Sequence, residues 1–257
     1  MTDRARTRYP PLEPHRATAQ LVGGGLLLAL ALCIAGWVLV GVSGAQPLAD
    51  LDRSVTAWVS EQRSPTLDTL TGLGSALADT ATAIGLLVAM VAITRLWLSR
   101  WREGVALVVA LAGELLVFLI VTAAVQRDRP DGMQLDVAPP TSSFPSGHTA
   151  AAVAIYGCIA IIVHREMRTR WLALLVAAAC WAVPVMVGAS RVYRGMHYPS
   201  DVLVGYIGGG VWLALVLLTL LPLVRGRPAD ALRDVSRITG PPLVHQSAPS
   251  TSAPWSS

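Results

Sequence analysis

Long apolar runs follow one another along most of the chain, and each approaches the length that crosses a lipid bilayer. A spanning helix needs about 20 mostly apolar residues. The first run exceeds the apolar core of a cleaved signal peptide, which has about 7–15 residues, so we interpret it as an uncleaved anchor. The predicted spans are Leu21–Val42, Leu73–Thr94, Val105–Val125, Thr149–Val163, Trp171–Val187 and Val202–Val224. The pattern predicts an all-α integral membrane protein, a six-span helical bundle.

The segment between the first two spans has a different pattern. Apolar residues recur at helical spacing between Leu48 and Val59, with charged residues between them, and the pattern resumes at Leu67 after the break at Ser64-Pro65. Alternation of this kind is typical of amphipathic helices that lie at a membrane surface. We therefore expect short interfacial helices in the first outer loop.

The same pattern divides the chain into three parts. Residues 1–20 are expected to form a cytoplasmic N-terminal tail, and residues 21–224 the six-span domain. Residues 225–257 are rich in proline, serine and alanine. Such a composition buries too little apolar surface to fold, so we expect a disordered cytoplasmic tail.

Composition supports a membrane protein and argues against a nucleic-acid partner. The chain is 53% hydrophobic and 14% charged, with a mean hydropathy of +0.55, whereas soluble domains carry roughly a quarter charged residues. All 20 basic residues are arginine. They are scattered through short loops and form no basic stripe, so the pI of 9.3 is better explained by membrane topology and contact with the lipid bilayer.

The arginines also predict the orientation of the spans. Fourteen of the 20 flank the spans on one side, and the other six lie on the opposite side. Cytoplasmic loops carry the excess of positive residues. We therefore expect a multi-pass protein of the cell inner (plasma) membrane with both termini in the cytoplasm. The six predicted outer arginines are Arg53, Arg63, Arg127, Arg129, Arg191 and Arg194.

Four of these outer arginines share two loops with two histidines and an aspartate. The first loop contains Arg127, Arg129 and the string Phe144-Pro145-Ser146-Gly147-His148, and the second contains Arg191, Arg194 and the string His197-Tyr198-Pro199-Ser200-Asp201. The planar fork of arginine matches the oxygens of a phosphate group and stays charged at any working pH. The amides of Ser146 and Gly147 would lie at the start of the fourth span, where a helix N-terminus favours an anion. The two loops therefore predict a phosphate site on the outer side of the membrane.

The histidines in this site suggest covalent phosphoryl transfer. Pro199 suits the first position of a helix, which places Asp201 in the first turn, close enough to accept a hydrogen bond from one ring nitrogen of His197. That bond would fix the tautomer and leave the other nitrogen free to attack phosphorus. His148 would then protonate the leaving oxygen, and the arginines would stabilise the transition state. We expect no metal and no other cofactor, because two histidines and one aspartate are too few for a dinuclear centre and the arginines would repel a cation.

These strings resemble the three-part signature of the type 2 phosphatidic acid phosphatase family, whose core is shared with vanadium haloperoxidases. The resemblance implies that His197 forms a phosphohistidine, that Asp201 orients it and that His148 is the general acid. It also implies a phosphate site built from Arg129, Arg191, Ser146 and Gly147, without a metal. The family's first motif begins with a lysine seven residues before its arginine, and Thr122 occupies that position here. We expect either that Arg127 reaches the same oxygens or that the substrate needs one less positive contact.

Glu114 is the one acidic residue deep in a predicted span. Intramembrane acids are functional by default. A structural role has equal support here, because Glu114 can hydrogen-bond to neighbouring helices or to Thr122 further along the same span.

The leading hypothesis is a hydrolase that removes a phosphate from a membrane lipid, with undecaprenyl or decaprenyl diphosphate favoured and phosphatidate or phosphatidylglycerol phosphate as alternatives. A second hypothesis, based on Thr122, is a protein of the same fold that binds lipid phosphates without turnover. A six-span transporter is a third, although Glu114 is the only charged residue deep in a predicted span and paired broken helices are absent from the pattern. The sequence predicts no oligomeric state.

The orientation can be tested by labelling with a membrane-impermeant thiol reagent on intact cells. Asp131→Cys, in the first arginine-containing loop, should be labelled, whereas Thr251→Cys, in the C-terminal segment, should be labelled only after the cells are lysed. The physical reason is the arginine asymmetry. Labelling of Thr251→Cys alone in intact cells contradicts the predicted orientation.

Overall fold

The computed structural model describes residues 12–41, 45–132 and 134–221, which contain eight α-helices and no strand. Five of these helices are long and apolar enough to cross a membrane, and a bent pair of helices supplies a sixth span. The predicted all-α bundle is therefore confirmed. The helices are α1 (Pro14–Gly41), α2 (Gln46–Glu61), α3 (Pro65–Ala76), α4 (Thr80–Leu96), α5 (Trp101–Ala124), α6 (Gly147–Glu166), α7 (Arg170–Tyr193) and α8 (Pro199–Leu220).

Local sequence explains where several helices begin. Pro65 and Pro199 occupy first-turn positions, where the missing N–H of proline costs nothing. Ser64 caps α3 by accepting a hydrogen bond from the Leu67 amide. The predicted start of α8 at Pro199, with Asp201 in its first turn, is thus confirmed.

The first span differs from the prediction at its beginning. Helix α1 starts at Pro14, within the segment expected to be a tail, because nothing between Pro14 and Leu21 stops a helix. The predicted tail at 225–257 and residues 1–11 lie outside the described residues.

The second predicted span is not one continuous helix. Helices α3 and α4 meet at an angle of 46° across residues 77–79, so the expected second interfacial helix and the first residues of the expected span form α3. The break is held by contacts from distant parts of the chain. The Tyr156 hydroxyl donates to the Leu77 carbonyl at 2.9 Å, and the Arg191 guanidinium donates to the Ser75 hydroxyl at 2.9 Å.

Helix α6 occupies the centre of the bundle. In the most apolar segment of α6, 61% is buried inside the protein, whereas the buried share of the corresponding segments in the other four long helices is 22–39%. It packs against α5, α7 and α8, and glycines on α8 allow a close approach. A Cβ atom at Gly205 would lie 2.7 Å from the Ser146 carbonyl oxygen, and one at Gly209 would lie 2.7 Å from the Ala150 carbonyl oxygen. This packing brings the N-termini of α6 and α8 together, as small residues do in membrane helices.

The opposite ends of these helices are joined by ionic contacts. Arg100 contacts Glu103 at 3.2 Å and Glu166 at 2.9 Å, which ties α5 to α6. Arg165 donates to the Leu221 carbonyl at 2.9 Å, which ties α6 to the end of α8. Contacts therefore join α6 to α8 at both ends of these helices.

The close approach of α6 and α8 predicts different effects for two adjacent glycines. Gly209→Ala should press against the α6 backbone and cost about 1–3 kcal/mol, as overpacking does, whereas Gly210→Ala meets nothing within 4 Å and should be neutral or stabilising because alanine favours a helix. Thermal unfolding in detergent should therefore show a melting temperature lowered by several degrees for Gly209→Ala alone. Equal melting temperatures would show that the helices separate easily.

Candidate active site

The histidines, arginines and aspartate predicted from the two loops meet at one end of the bundle. They are carried by the loop between α5 and α6, the last turn of α7, the turn between α7 and α8, and the first turns of α6 and α8. Two backbone contacts hold these parts together. The Ser146 amide donates to the Asp201 carbonyl at 3.1 Å, and the Arg129 guanidinium donates to the Met196 carbonyl at 2.7 Å.

His197 is buried with only 3% of its surface exposed, and its hydrogen bond differs from the prediction. Its Nδ1 donates to the Ser143 carbonyl at 2.6 Å, while the nearest Asp201 carboxylate oxygen lies 4.0 Å away. The Ser143 carbonyl therefore fixes the tautomer, and the direct bond expected from Asp201 is wrong. Asp201 is linked to His197 only through Ser143. Its carboxylate accepts from the Ser143 hydroxyl at 2.6 Å and from the Tyr198 amide at 2.9 Å.

The surroundings of His197 keep its ring neutral. Burial lowers the pKa of His197 well below its usual value, and the positive charges of Arg191 and Arg129 lower it further. A depressed pKa means that the ring stays unprotonated in mildly acidic solution, where an exposed histidine would carry a charge. With Nδ1–H bound to the carbonyl, Nε2 has a free lone pair.

Arg129 and Arg191 each present a donor that no described residue accepts. The Nε atoms of the two guanidinium groups are buried, and neither has a hydrogen-bond partner among the described residues. Burial also lowers the pKa of Arg129. A buried, unpaired N–H group is costly, and an anion that accepts from both groups would remove that cost. The pair therefore suits the binding of a phosphate.

A carboxylate already contacts one of these arginines. Asp136, in the loop before α6, accepts from Arg191 at 3.1 Å and from two Arg194 nitrogens at 2.8 and 2.6 Å. The hydrogen bond from Arg194 holds the pKa of Asp136 below its usual range. Asp136 was not predicted from the sequence, because it belongs to no motif and its loop has no periodic pattern.

Arg127 makes contacts that the sequence did not predict. Its guanidinium forms ion pairs with Asp201 and, at 2.7 Å, with Asp52, donates to the Ser200 hydroxyl at 2.8 Å, and lies over the Tyr198 ring at 4.4 Å. These contacts hold the side chain among protein groups and do not favour its use as a substitute for the missing lysine. Phosphate binding by Arg127 stays a prediction.

Asp52 completes this arrangement from helix α2. It is 1% exposed and accepts from the Ser200 amide at 3.0 Å and the Ser200 hydroxyl at 2.5 Å. The pattern of α2 predicted a helix at the membrane surface and gave no sign of a buried Asp52. A lone aspartate in an amphipathic helix usually faces water, and nothing in the local spacing shows that this one is buried.

The first turn of α6 leaves available only some of the backbone amides that were predicted to bind a phosphate. The Ser146 amide is occupied by the Asp201 carbonyl, and the Ser146 hydroxyl is hydrogen-bonded to Thr149 at 2.8 Å. The Ser146 amide is therefore not a free phosphate donor, contrary to the expectation. The amides of Gly147 and His148 lie in the first turn, where the helix itself provides no acceptor, so they remain suited to an anion.

His148 makes a contact that the sequence did not indicate. Its Nε2 lies 3.2 Å from a carboxylate oxygen of Asp79, the residue that precedes α4, and 31% of the His148 side chain is exposed. The contact brings the α3–α4 break to the active site. Asp79 was missed because it lies inside the apolar run that was predicted as one span.

Thr122 and Glu114 are both buried in α5, and the hydrogen bond considered between them is not formed. The Thr122 hydroxyl has no partner among the described residues. Glu114 instead lines a narrow cavity between α1, α5, α6 and α8, next to Phe118 and Trp212. The structure thus places Thr122 as an unpaired hydroxyl where the resembling family has a lysine.

Comparison with known proteins identifies related membrane phosphatases. The model of the PAP2 superfamily matches residues 103–224. The chain is 30% identical over 123 residues to phosphatidylglycerophosphatase B of Bacillus subtilis, which covers 46% of this chain and 56% of that protein. It is 36% identical over 74 residues to lipid A 1-phosphatase of Rhizobium etli, which covers 29% of this chain and 27% of that protein. The alignments thus span about half or less of these relatives.

A solved structure extends the likeness to most of the fold. The crystal structure of a transmembrane PAP2-type phosphatidylglycerolphosphate phosphatase from Bacillus subtilis superposes with a TM-score of 0.65 at 25% identity. The match covers 77% of this chain and 94% of that one. The six-span interpretation, with the bent α3–α4 pair counted as one span, therefore agrees with a known membrane architecture.

The buried contacts of Arg127 predict a loss of stability on substitution. Arg127→Gln leaves two buried carboxylates without their cation, and breaking a buried pair in this way costs about 3–5 kcal/mol. Arg53→Gln removes an exposed pair with Asp50 within α2 and should leave the melting temperature nearly unchanged. Thermal unfolding of both variants in detergent tests the difference. Wild-type stability of Arg127→Gln together with weaker vanadate binding would restore the phosphate-binding role.

Proposed function

We propose that this protein is a membrane phosphatase that hydrolyses a lipid phosphate or diphosphate, because residues 103–224 match the model of the PAP2 superfamily, in agreement with the resemblance of the three motifs. One observation carries the proposal. A buried, neutral His197 lies within the electrostatic influence of Arg129 and Arg191, both of which have an unused buried donor. A site with a free nucleophile and unpaired cationic donors suits attack on a bound phosphate.

The proposed reaction has two steps. His197 Nε2 attacks phosphorus, forming a P–N bond while the P–O bond to the lipid breaks, and His148 gives its proton to the leaving oxygen. The neutral His148 then takes a proton from water, whose oxygen attacks the phosphohistidine and breaks the P–N bond. The products are the dephosphorylated lipid and inorganic phosphate, and both histidines return to their starting states. Asp201 supports the nucleophile through Ser143, whose carbonyl holds the His197 ring.

Arg129 and Arg191 are proposed to hold the phosphate, together with the amides of Gly147 and His148. Because arginine cannot lose its proton at any working pH, these contacts supply positive charge without a metal. The superfamily resemblance implies the same. Turnover is therefore proposed to be independent of divalent cations.

The site is proposed to face the outside of the cell inner (plasma) membrane, with both termini cytoplasmic. The arginine asymmetry supports this orientation, and the ends of α5 and α6 that carry Arg100 and Arg165 lie away from the site. A lipid substrate would then bring its phosphate to the outer leaflet while its tail stays in the bilayer.

Two lipid classes are the first candidates for the substrate. The sequence favoured a polyprenyl diphosphate such as undecaprenyl diphosphate. The relatives include phosphatidylglycerophosphatase B and the phosphatidylglycerolphosphate phosphatase of known structure, which supports a phosphorylated glycerolipid. Both substrates have a phosphate ester or anhydride that the same histidine pair can cleave, and a direct comparison of rates decides between them.

Thr122 supports a second candidate function, the binding of lipid phosphates without turnover. Its buried hydroxyl is unpaired, and Arg127 is committed to Asp52 and Asp201. The site therefore has one cation fewer than the family pattern. If that cation is required, wild-type protein should bind lipid phosphates but release no phosphate, and Thr122→Lys should gain turnover.

The proposal is tested by phosphate release from purified protein in detergent containing EDTA. Wild-type protein should hydrolyse polyprenyl diphosphate, phosphatidylglycerol phosphate or phosphatidate, and vanadate should inhibit because it mimics five-coordinate phosphorus. His197→Ala should abolish turnover of every lipid, since no phosphohistidine can form, while His148→Ala should lose about 10²–10⁴-fold on an alkyl ester. Loss of activity in EDTA that a divalent cation restores contradicts the mechanism.

A further inference from the structure

We propose that Asp79 is a positioning residue for the general acid, so that the break in the second span is a functional part of the active site. The inference rests on the proposed function, because it assigns Asp79 to the step in which His148 protonates the leaving oxygen. It concerns a residue outside the three motifs, on a helix that precedes the region matched to the superfamily.

The Asp79 side chain contacts His148 and does not cap its own helix. Asp79 is the N-cap residue of α4, a position where aspartate normally accepts a hydrogen bond from an amide of the first turn. Its carboxylate makes no such bond. It lies instead 3.2 Å from Nε2 of His148. The helix thus forgoes a local stabilising contact, and the carboxylate serves the histidine.

The break that carries Asp79 is fixed to the rest of the active site. The Tyr156 hydroxyl, two turns beyond His148 on α6, donates to the Leu77 carbonyl at 2.9 Å. Arg191 on α7 donates to the Ser75 hydroxyl at 2.9 Å. Two bonds from the helices that carry the acid and a phosphate-binding arginine therefore set the position of Asp79. A continuous helix through residues 77–79 would lack this geometry.

The contact has a direct chemical consequence for His148. When the ring is protonated, Nε2–H donates to Asp79 and Nδ1–H remains to protonate the leaving oxygen. After that transfer, the neutral ring keeps its proton on Nε2, so it is the tautomer whose Nδ1 can take a proton from water in the second step. Asp79 thus fixes the His148 ring and stabilises its charged form, as carboxylates commonly do for catalytic histidines.

The negative charge of Asp79 offsets the positive charge that nearby arginines bring to His148. Arg191 and Arg129 bring positive charge to the site, which works against a protonated imidazole. Asp136 also lies near, but Arg191 and Arg194 already pair with its carboxylate. Asp79 is the carboxylate bonded to His148 itself, and 54% of its side chain is exposed, so it has room for a substituted residue without a change in packing.

A double-mutant cycle on a lipid that the wild-type protein hydrolyses tests the inference. Asp79→Asn should lower kcat for that lipid by about tenfold or more, a part of the general-acid contribution, while vanadate inhibition and melting temperature stay at wild-type values. In a His148→Ala background the same substitution should cost almost nothing further, because residues that act through one another are not additive. Asp79→Glu should recover part of the rate.

Asp50→Asn is the matched control. It removes the same charge from an exposed aspartate of α2 that pairs with Arg53 in its own helix, and its kcat should equal that of the wild type. A loss for Asp79→Asn that is as large in the His148→Ala background as in the wild type would overturn the inference, as would an unchanged kcat. Absence of phosphate release by the wild-type protein from every lipid would be a failure of the proposed function, and the inference would fall with it.

Discussion

The buried guanidinium of Arg127 joins three parts of the chain that are distant in sequence. It pairs with Asp52 from α2 and Asp201 from α8, while its own backbone begins the loop after α5. Charges are stable in such surroundings only when they are paired and hydrogen-bonded, so the three parts must assemble together. Asp201 in turn holds Ser143, and the Ser143 carbonyl holds His197. The position of His197, the proposed nucleophile, therefore depends on an ion pair that does not contact it.

The arginines of the site form two groups, those paired with aspartates and those with a buried donor that no described residue accepts. Arg127 and Arg194 have their donors occupied by aspartates, whereas Arg129 and Arg191 each keep a buried Nε–H unpaired. That remaining positive charge has two consequences for the proposed chemistry. It favours the binding of an anion, and it helps to lower the pKa of His197, which leaves the proposed nucleophile neutral. In the proposed mechanism the same two arginines thus serve both binding and activation.

The second span shows how a membrane helix can contribute polar residues without exposing them to lipid. Its break at residues 77–79 places Ser75 beside Arg191 and Asp79 beside His148. Irregular backbone at membrane depth is tolerated where protein contacts satisfy it, and here Tyr156 bonds the Leu77 carbonyl. The contacts that fix the bend are therefore made by residues in or next to the candidate active site.

The sequence by itself determined the bundle and the motif residues that meet in it, because the length of an apolar run and the chemistry of arginine and histidine are local properties. The start of α8 at Pro199 followed from the conformational preference of proline in the same way. Tertiary structure decided the partners. Burial of Asp52, the contact of Asp79 with His148, the pairing of Arg127 and the replacement of Asp201 by Ser143 at His197 all join residues more than 50 positions apart. Such contacts depend on how α2, α3 and α6 pack, and no periodicity along the chain encodes that packing.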